Sequence, residues 1–124
     1  MTPTTTIRIG ALLGALAVIL GAFAAHGLKA RLEPAALEIF RTGAYYQMVH
    51  AIALLLTGLL ALCRHSPRTP AAAWLFLLGI ALFCGSLYLL ALTGIGWLGM
   101  ITPLGGVSFI AGWLLLAAAA GPDG

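Results

Sequence analysis

Charge is what this sequence lacks. Of its 124 residues only 7% are charged, six Lys or Arg against three Asp or Glu, where a soluble domain carries about 25%. With 62% of the residues hydrophobic, a water-soluble fold is excluded. So is intrinsic disorder, which needs low hydrophobicity. A nucleic-acid module needs a basic stripe, and the few cations here are scattered between apolar runs, so no nucleic acid is expected as a partner. The basic pI near 9.3 speaks instead to membrane orientation and to anionic lipid headgroups.

Cysteine is scarce too. Cys63 closes one hydrophobic segment, and Cys84 lies about thirteen residues into the next. A helical rise of about 1.5 Å per residue puts them roughly 20 Å apart in depth, beyond the reach of a disulfide, so both read as small apolar residues. The chain has no Cys-x-x-Cys, which argues against a thiol oxidoreductase. It also lacks G-x-S-x-G, and Ser86 and Ser108 have no base at helical spacing, so nucleophilic catalysis finds no support. No Asp, Glu, Lys or Arg falls near the middle of an apolar segment, which counts against a proton-coupled exporter. The reading leans away from an enzyme.

What the sequence does have is four long apolar segments, at about 7–25, 43–63, 71–92 and 103–120. Each is long enough for a helix to cross a hydrocarbon core of about 30 Å. Continuous runs rather than alternation select helices over a barrel. The expected fold is all-α: one polytopic membrane domain spanning 1–124, a four-transmembrane-helix bundle. Arg8, the apolar run after it and Ala22-Phe23-Ala24 imitate a signal peptide. The first segment nevertheless carries a packing pattern of its own, through Gly10, Gly14, Ala17, Gly21 and Ala24, and is read as a span.

Small residues continue the device elsewhere. The third segment repeats them through Ala72, Gly79, Ser86 and Thr93, and the fourth carries Gly105, Ser108 and Gly112. Helices in lipid associate through such faces, so these glycines are expected to pack the bundle. The same faces fit self-association or membership of a larger membrane complex.

The connections differ from one another. Residues 26–42 hold most of the charge, with Pro34 placed to start a helix and Ala36, Leu37 and Phe40 on one side of it, so an amphipathic interfacial helix is expected between the first two spans, running into the second. Residues 64–70 form a short basic turn. Residues 94–102 are uncharged and Gly-rich, with Thr102 expected to cap a helix beginning at Pro103. Arg8, Arg64 and Arg68 fall on the side of the termini and Lys29, Arg31 and Arg41 on the other, nearly a tie. The purely basic short turn tips the balance towards cytoplasmic termini.

The candidate site is the polar face of the second segment. Tyr46, Gln47 and His50 share that face, and Ser86 and Tyr88 lie on the third segment. His26 and Glu38 approach from the first connection. Such a face is either a structural network holding the helices in register or a site for a lipid or small ligand. His26 sits at the boundary whereas His50 lies roughly 10 Å inside the span, which argues against a haem. His26, Glu38 and His50 are the only plausible zinc set, without ligand spacing to support it. No metal and no cofactor is therefore expected. Trp74, Trp97 and Trp113 read as an interfacial belt.

Three blocks of residues carry a resemblance: Gly21-Ala22-Phe23-Ala24-Ala25-His26-Gly27-Leu28, Tyr46-Gln47-Met48-Val49-His50-Ala51, and Gly85-Ser86-Leu87-Tyr88-Leu89-Leu90-Ala91-Leu92-Thr93-Gly94 continuing into Ile101-Thr102-Pro103-Leu104-Gly105-Gly106. In these the chain resembles the small membrane family called domain of unknown function 423, which includes bacterial YgdD-like inner-membrane proteins and animal transmembrane protein 256. One departure is Ala24-Ala25, where that family often has a Gly before Ala-His-Gly. The resemblance implies a four-span protein of a bacterial inner membrane. It supplies no reaction, but its blocks include His26, Tyr46, Gln47, His50, Ser86 and Tyr88.

Overall fold

The computed structural model describes residues 1–122, and they are helical almost throughout, with no strand among them. In a bilayer the backbone has no water to bond, so each span must satisfy its own N–H and C=O groups. Four helical stretches are long and apolar enough to cross a membrane.

Helix α1 runs Pro3–Ala25, starting four residues before the expected span. Its start is set by Thr2, whose side-chain oxygen accepts the Thr5 N–H at 3.1 Å, and by Pro3 in the first turn, where a missing N–H costs nothing. After a single 3₁₀ turn at Leu28–Ala30, helix α2 runs Pro34–Cys63 without a break. The expected amphipathic segment is present and two-faced, with Leu37 and Phe40 buried and Glu38 and Arg41 exposed. It runs into the second span as the first turns of α2, because nothing between Pro34 and Cys63 interrupts the backbone ladder.

The basic turn follows. Arg64 donates through Nη1 to the carbonyl of Ala120 at 3.1 Å, tying the turn to the end of the last helix. The third span is helix α3, Arg68–Gly79, a π turn at Ile80–Cys84, and helix α4, Gly85–Thr93. It ends at Gly94, whose φ of 72° is the left-handed conformation that lets a helix stop with its last carbonyls bonded. A 3₁₀ segment at Gly96–Met100 leads into helix α5, Thr102–Ala119. Thr102 does not cap α5. Ile101 holds the cap position without a side-chain bond, and the Thr102 hydroxyl reaches across to Ser86 instead.

The helices are not arranged as a closed ring. α1 packs on α2, α2 on the α3–α4 span, and that span on α5. The seam between α3 and α5 is built on glycines. A Cβ on Gly112 would come within 2.8 Å of the Phe76 ring, and Gly79 likewise receives the Phe109 ring. Gly105 instead admits the backbone of Phe83, whose Cα would lie 2.8 Å from an added Cβ. Gly10 does the same for the α1–α2 seam, where a Cβ would stand 2.9 Å from the Ala51 carbonyl. Of the other small residues in the first segment, Ala17 is buried. A Cβ on Gly21 meets nothing within 4 Å, and on Gly14 it meets only the Ala51 methyl at 3.9 Å. Cys63 and Cys84 are both free thiols, the first exposed and the second buried.

Candidate functional site

Gln47 is the knot of the polar network. It is buried at 2% exposure, in a medium where an unpaired amide costs several kcal/mol. Its Nε2 donates to the Leu13 carbonyl on α1 at 2.9 Å, and its Oε1 accepts the Tyr88 hydroxyl of α4 at 2.8 Å. One amide therefore joins three helices. Gly43, one turn before it, makes room: a Cβ there would lie 2.7 Å from the Tyr88 ring. Phe40 also packs on that ring, at a centroid distance of 4.9 Å.

His50 is satisfied on both nitrogens. Nδ1 lies 2.7 Å from the Tyr46 carbonyl, and Nε2 lies 3.0 Å from the indole Nε1 of Trp113. A carbonyl only accepts and an indole N–H only donates, so the ring is the neutral tautomer with its proton on Nδ1. Phe109 stacks on the imidazole at 3.5 Å and 9°. Neither nitrogen is free for a metal or a haem iron, and passing a proton would mean breaking one of the two bonds. His50 acts as a bracket between α2 and α5.

Ser86 stands apart from both. Its hydroxyl donates to the Phe83 carbonyl at 3.0 Å, so the contact with Thr102 Oγ1 at 2.6 Å takes its proton from Thr102. That pair pins the start of α5 to the start of α4. Lower on the same seam, Ser108 donates to the Leu75 carbonyl at 2.7 Å. No buried side-chain nitrogen or oxygen among the described residues lacks a hydrogen bond.

The structure thus brings together Gln47 with Tyr88, and Tyr46 with His50, and it separates Ser86. His26 and Glu38 do not join them. Both are exposed, His26 as the C-terminal cap of α1 and Glu38 on the outer side of α2, whose other side carries the buried Leu37 and Phe40. Among the described residues no three of His, Cys, Asp or Glu gather as metal ligands. Sequence reasoning missed Trp113, placing it in the interfacial belt. Its position near the middle of the fourth segment was the available signal, since a belt residue belongs at an end.

Two cavities stand out among the described residues. One, of about 200 Å³, opens at the end carrying the N-terminus, between Thr6, Thr57, Arg64, His65, Ser66 and Thr69. The other, of about 490 Å³, is a groove between α2 and α5 with His50 and Trp113 in its wall.

Comparison with known proteins places this architecture among uncharacterised membrane proteins. The family described as "Protein of unknown function (DUF423)" matches residues 20–106. The chain is 45% identical over 115 residues to the UPF0382 membrane protein YwdK of Bacillus subtilis, covering 92% of this chain and 94% of that one. It is 48% identical over 112 residues to a UPF0382 membrane protein of Haemophilus influenzae, covering 90% and 89%. A Staphylococcus epidermidis relative of the same designation is 47% identical over 113 residues, 91% and 92% of the two chains. No solved structure matches.

Proposed function

This chain belongs to the DUF423 family of membrane proteins, and on that premise we propose that it is a non-catalytic membrane subunit. It associates through the outer face of α1 with a second transmembrane helix, in a further copy of itself or in a larger membrane complex. The observation that carries this reading is the state of Gly14 and Gly21. Within the chain neither glycine is required by a close neighbour, yet both lie beside Ala11, Ala15, Ala22 and Ala25, which are exposed. The adjoining stripe, Leu12, Leu16, Ile19 and Phe23, is large and exposed.

Lipid tails pack as well on Leu as on Ala, whereas another helix gains closest approach on Gly and Ala. α1 is also the least covered span, with 17% of its most apolar stretch buried against 39% for α2. Gln47, Tyr88, Ser86 and Ser108 support the same reading, since these side chains are spent on hydrogen bonds between helices.

The test is native mass spectrometry from lipid nanodiscs, with Gly14→Leu and Gly21→Leu compared with Leu12→Ala. An added Cβ meets nothing at Gly21 and makes only ordinary contact at Gly14, so the expected result is loss of the oligomer or partner mass with unchanged helix content. A wild-type chain that is released alone, or oligomers that survive both substitutions, would overturn the proposal.

The same reading places the chain in the bacterial inner membrane with cytoplasmic termini, supported by the basic turn of Arg64 and Arg68 beside Arg8. Cys63, exposed next to that turn, reports on it. An impermeant maleimide should label it only after spheroplasts are lysed, and labelling of intact spheroplasts would reverse the orientation.

A further inference from the structure

The groove between α2 and α5 differs from the rest of the lipid-facing surface in kind. Elsewhere that surface is largely Leu, Ile and Val. Here six of the nine lining residues carry rings: Tyr45, Tyr46, His50, Phe83, Phe109 and Trp113. The cavity of about 490 Å³ falls within the range of roughly 300–1,000 Å³ usual for small-molecule sites. Its lateral wall is open to the bilayer, since Tyr45 and Ile110 are exposed at 67% and 62%. An occupant therefore arrives dissolved in lipid.

Its walls are preorganised. His50, held by its own helix, holds the Trp113 indole through Nε2 and is itself stacked on Phe109. Tyr46 leans on Phe83 at 4.6 Å, and Tyr45 meets Tyr46 edge-on at 5.8 Å and 79°. Among the described residues neither tyrosine hydroxyl is engaged in a hydrogen bond. The faces of Tyr and Trp rings are electron-rich, so they favour a flat, electron-poor ring over a flexible acyl chain. The tyrosines lie near the end of the groove that Gly106, early in α5, also lines. Their hydroxyls can donate to a carbonyl there.

We propose that this groove binds a membrane-dissolved quinone. Its ring sits among Tyr46, Phe83, Phe109 and Trp113, a ring carbonyl accepts from a tyrosine hydroxyl, and its apolar tail leaves past Ile110 into the bilayer. His50 is a positioning residue that fixes the Trp113 wall. This site lies on a different face from the α1 association surface, and each stands without the other.

The probe is decylubiquinone, titrated into phosphatidylcholine nanodiscs holding a Trp74→Phe, Trp97→Phe variant. Both removed indoles are exposed and outside the groove, which leaves Trp113 as the reporter. Saturable quenching of its fluorescence is expected. Gly106→Leu should raise the half-saturating quinone content by about tenfold, equivalent to 1.4 kcal/mol. A Cβ at Gly106 makes only ordinary contact, 3.8 Å from the Phe83 ring, so the variant fills the groove without parting the helices. Ile110→Phe, which narrows the mouth from a lipid-exposed position, should act in the same direction. In each variant the indole N–H resonance of Trp113 checks that the His50 bracket survives. Quenching that rises linearly without saturation, or is unchanged in both variants, overturns the proposal. So does a brominated phospholipid that quenches Trp113 and is not displaced by the quinone, because an acyl chain then fills the groove.

Discussion

Two adjacent glycines in α5 are expected to respond in opposite ways to the same added methyl group. A Cβ on Gly105 would lie 2.7 Å from Phe83 Cβ and 2.8 Å from Phe83 Cα, and closer still to that residue's backbone nitrogen. These atoms belong to the π turn and cannot rotate away. Restoring an ordinary carbon contact of about 3.5 Å means parting α5 from the third span by most of an ångström. A gap of roughly 0.5–1 Å forfeits a quarter to a half of each dispersion contact across it. The seam that opens contains Phe76 on Gly112 and Phe109 on Gly79. It also holds the bonds from Thr102 to Ser86 and from Ser108 to Leu75.

Overpacking of this kind costs about 1–3 kcal/mol, and a hydrogen bond between helices in lipid adds about 0.6 kcal/mol. Against this stands a helix preference for Ala over Gly of about 0.5–1 kcal/mol. Gly105→Ala should therefore destabilise the chain by about 2 kcal/mol. Gly106→Ala, whose Cβ meets only the edge of the Phe83 ring at 3.8–3.9 Å, should be neutral or gain about 0.5 kcal/mol. Reversible unfolding in mixed micelles, titrated with dodecyl sulfate and followed by circular dichroism, measures both. Equal midpoints for the two variants, or a Gly105→Ala chain as stable as the parent, would refute the glycine-seat reading of the α3–α5 seam.

Other outcomes follow from the same geometry. Gln47→Leu and Tyr88→Phe, combined in a double-mutant cycle on unfolding, should show a coupling of about 0.6–1.7 kcal/mol, the range for interhelical bonds in lipid; additive effects would mean that the bond of 2.8 Å contributes nothing. His50→Phe keeps a ring against Phe109 but removes the acceptor for Trp113, so the indole N–H resonance should move upfield and exchange faster; an unchanged resonance would show that the bond is absent in solution. In detergent, a maleimide should label Cys63 readily and Cys84 only after denaturation, given their exposed and buried positions; equal labelling rates would contradict the packing of the third span. Gly10→Leu should unfold or misassemble the α1–α2 pair, since its Cβ already meets the Ala51 carbonyl at 2.9 Å, whereas Gly21→Leu should leave the monomer as stable as the parent by the same unfolding titration.

The residues that the sequence singled out by chemistry fared unevenly, for a physical reason. Gln47 and His50 could be recognised because a polar side chain inside an apolar helix must find a partner, and local spacing puts it on a definite face. Their partners could not be named. Leu13, Tyr88 and Trp113 come from three other helices, and a contact across helices depends on rotation and depth, which periodicity leaves open. His26 and Glu38 were grouped with them by nearness to a span boundary, yet α2 carries Glu38 on its outer side. The π turn at Ile80–Cys84 has no composition signal at all. Thr102 matched a helix-capping pattern, but tertiary packing redirected its hydroxyl to Ser86.

Composition, length and the run of apolar segments by themselves determined that this is an all-α membrane protein with four spans, because in lipid only helices of about 20 residues satisfy the backbone across the core. The glycine and alanine spacing determined that close-packed faces exist. Which of those faces are consumed inside the chain and which are left over was decided only by the tertiary structure. Gly10, Gly79, Gly105 and Gly112 are filled by neighbouring atoms, while Gly21 is filled by nothing. A stripe on one helix records that something can approach, and only the positions of the other three spans determine whether that something is already present.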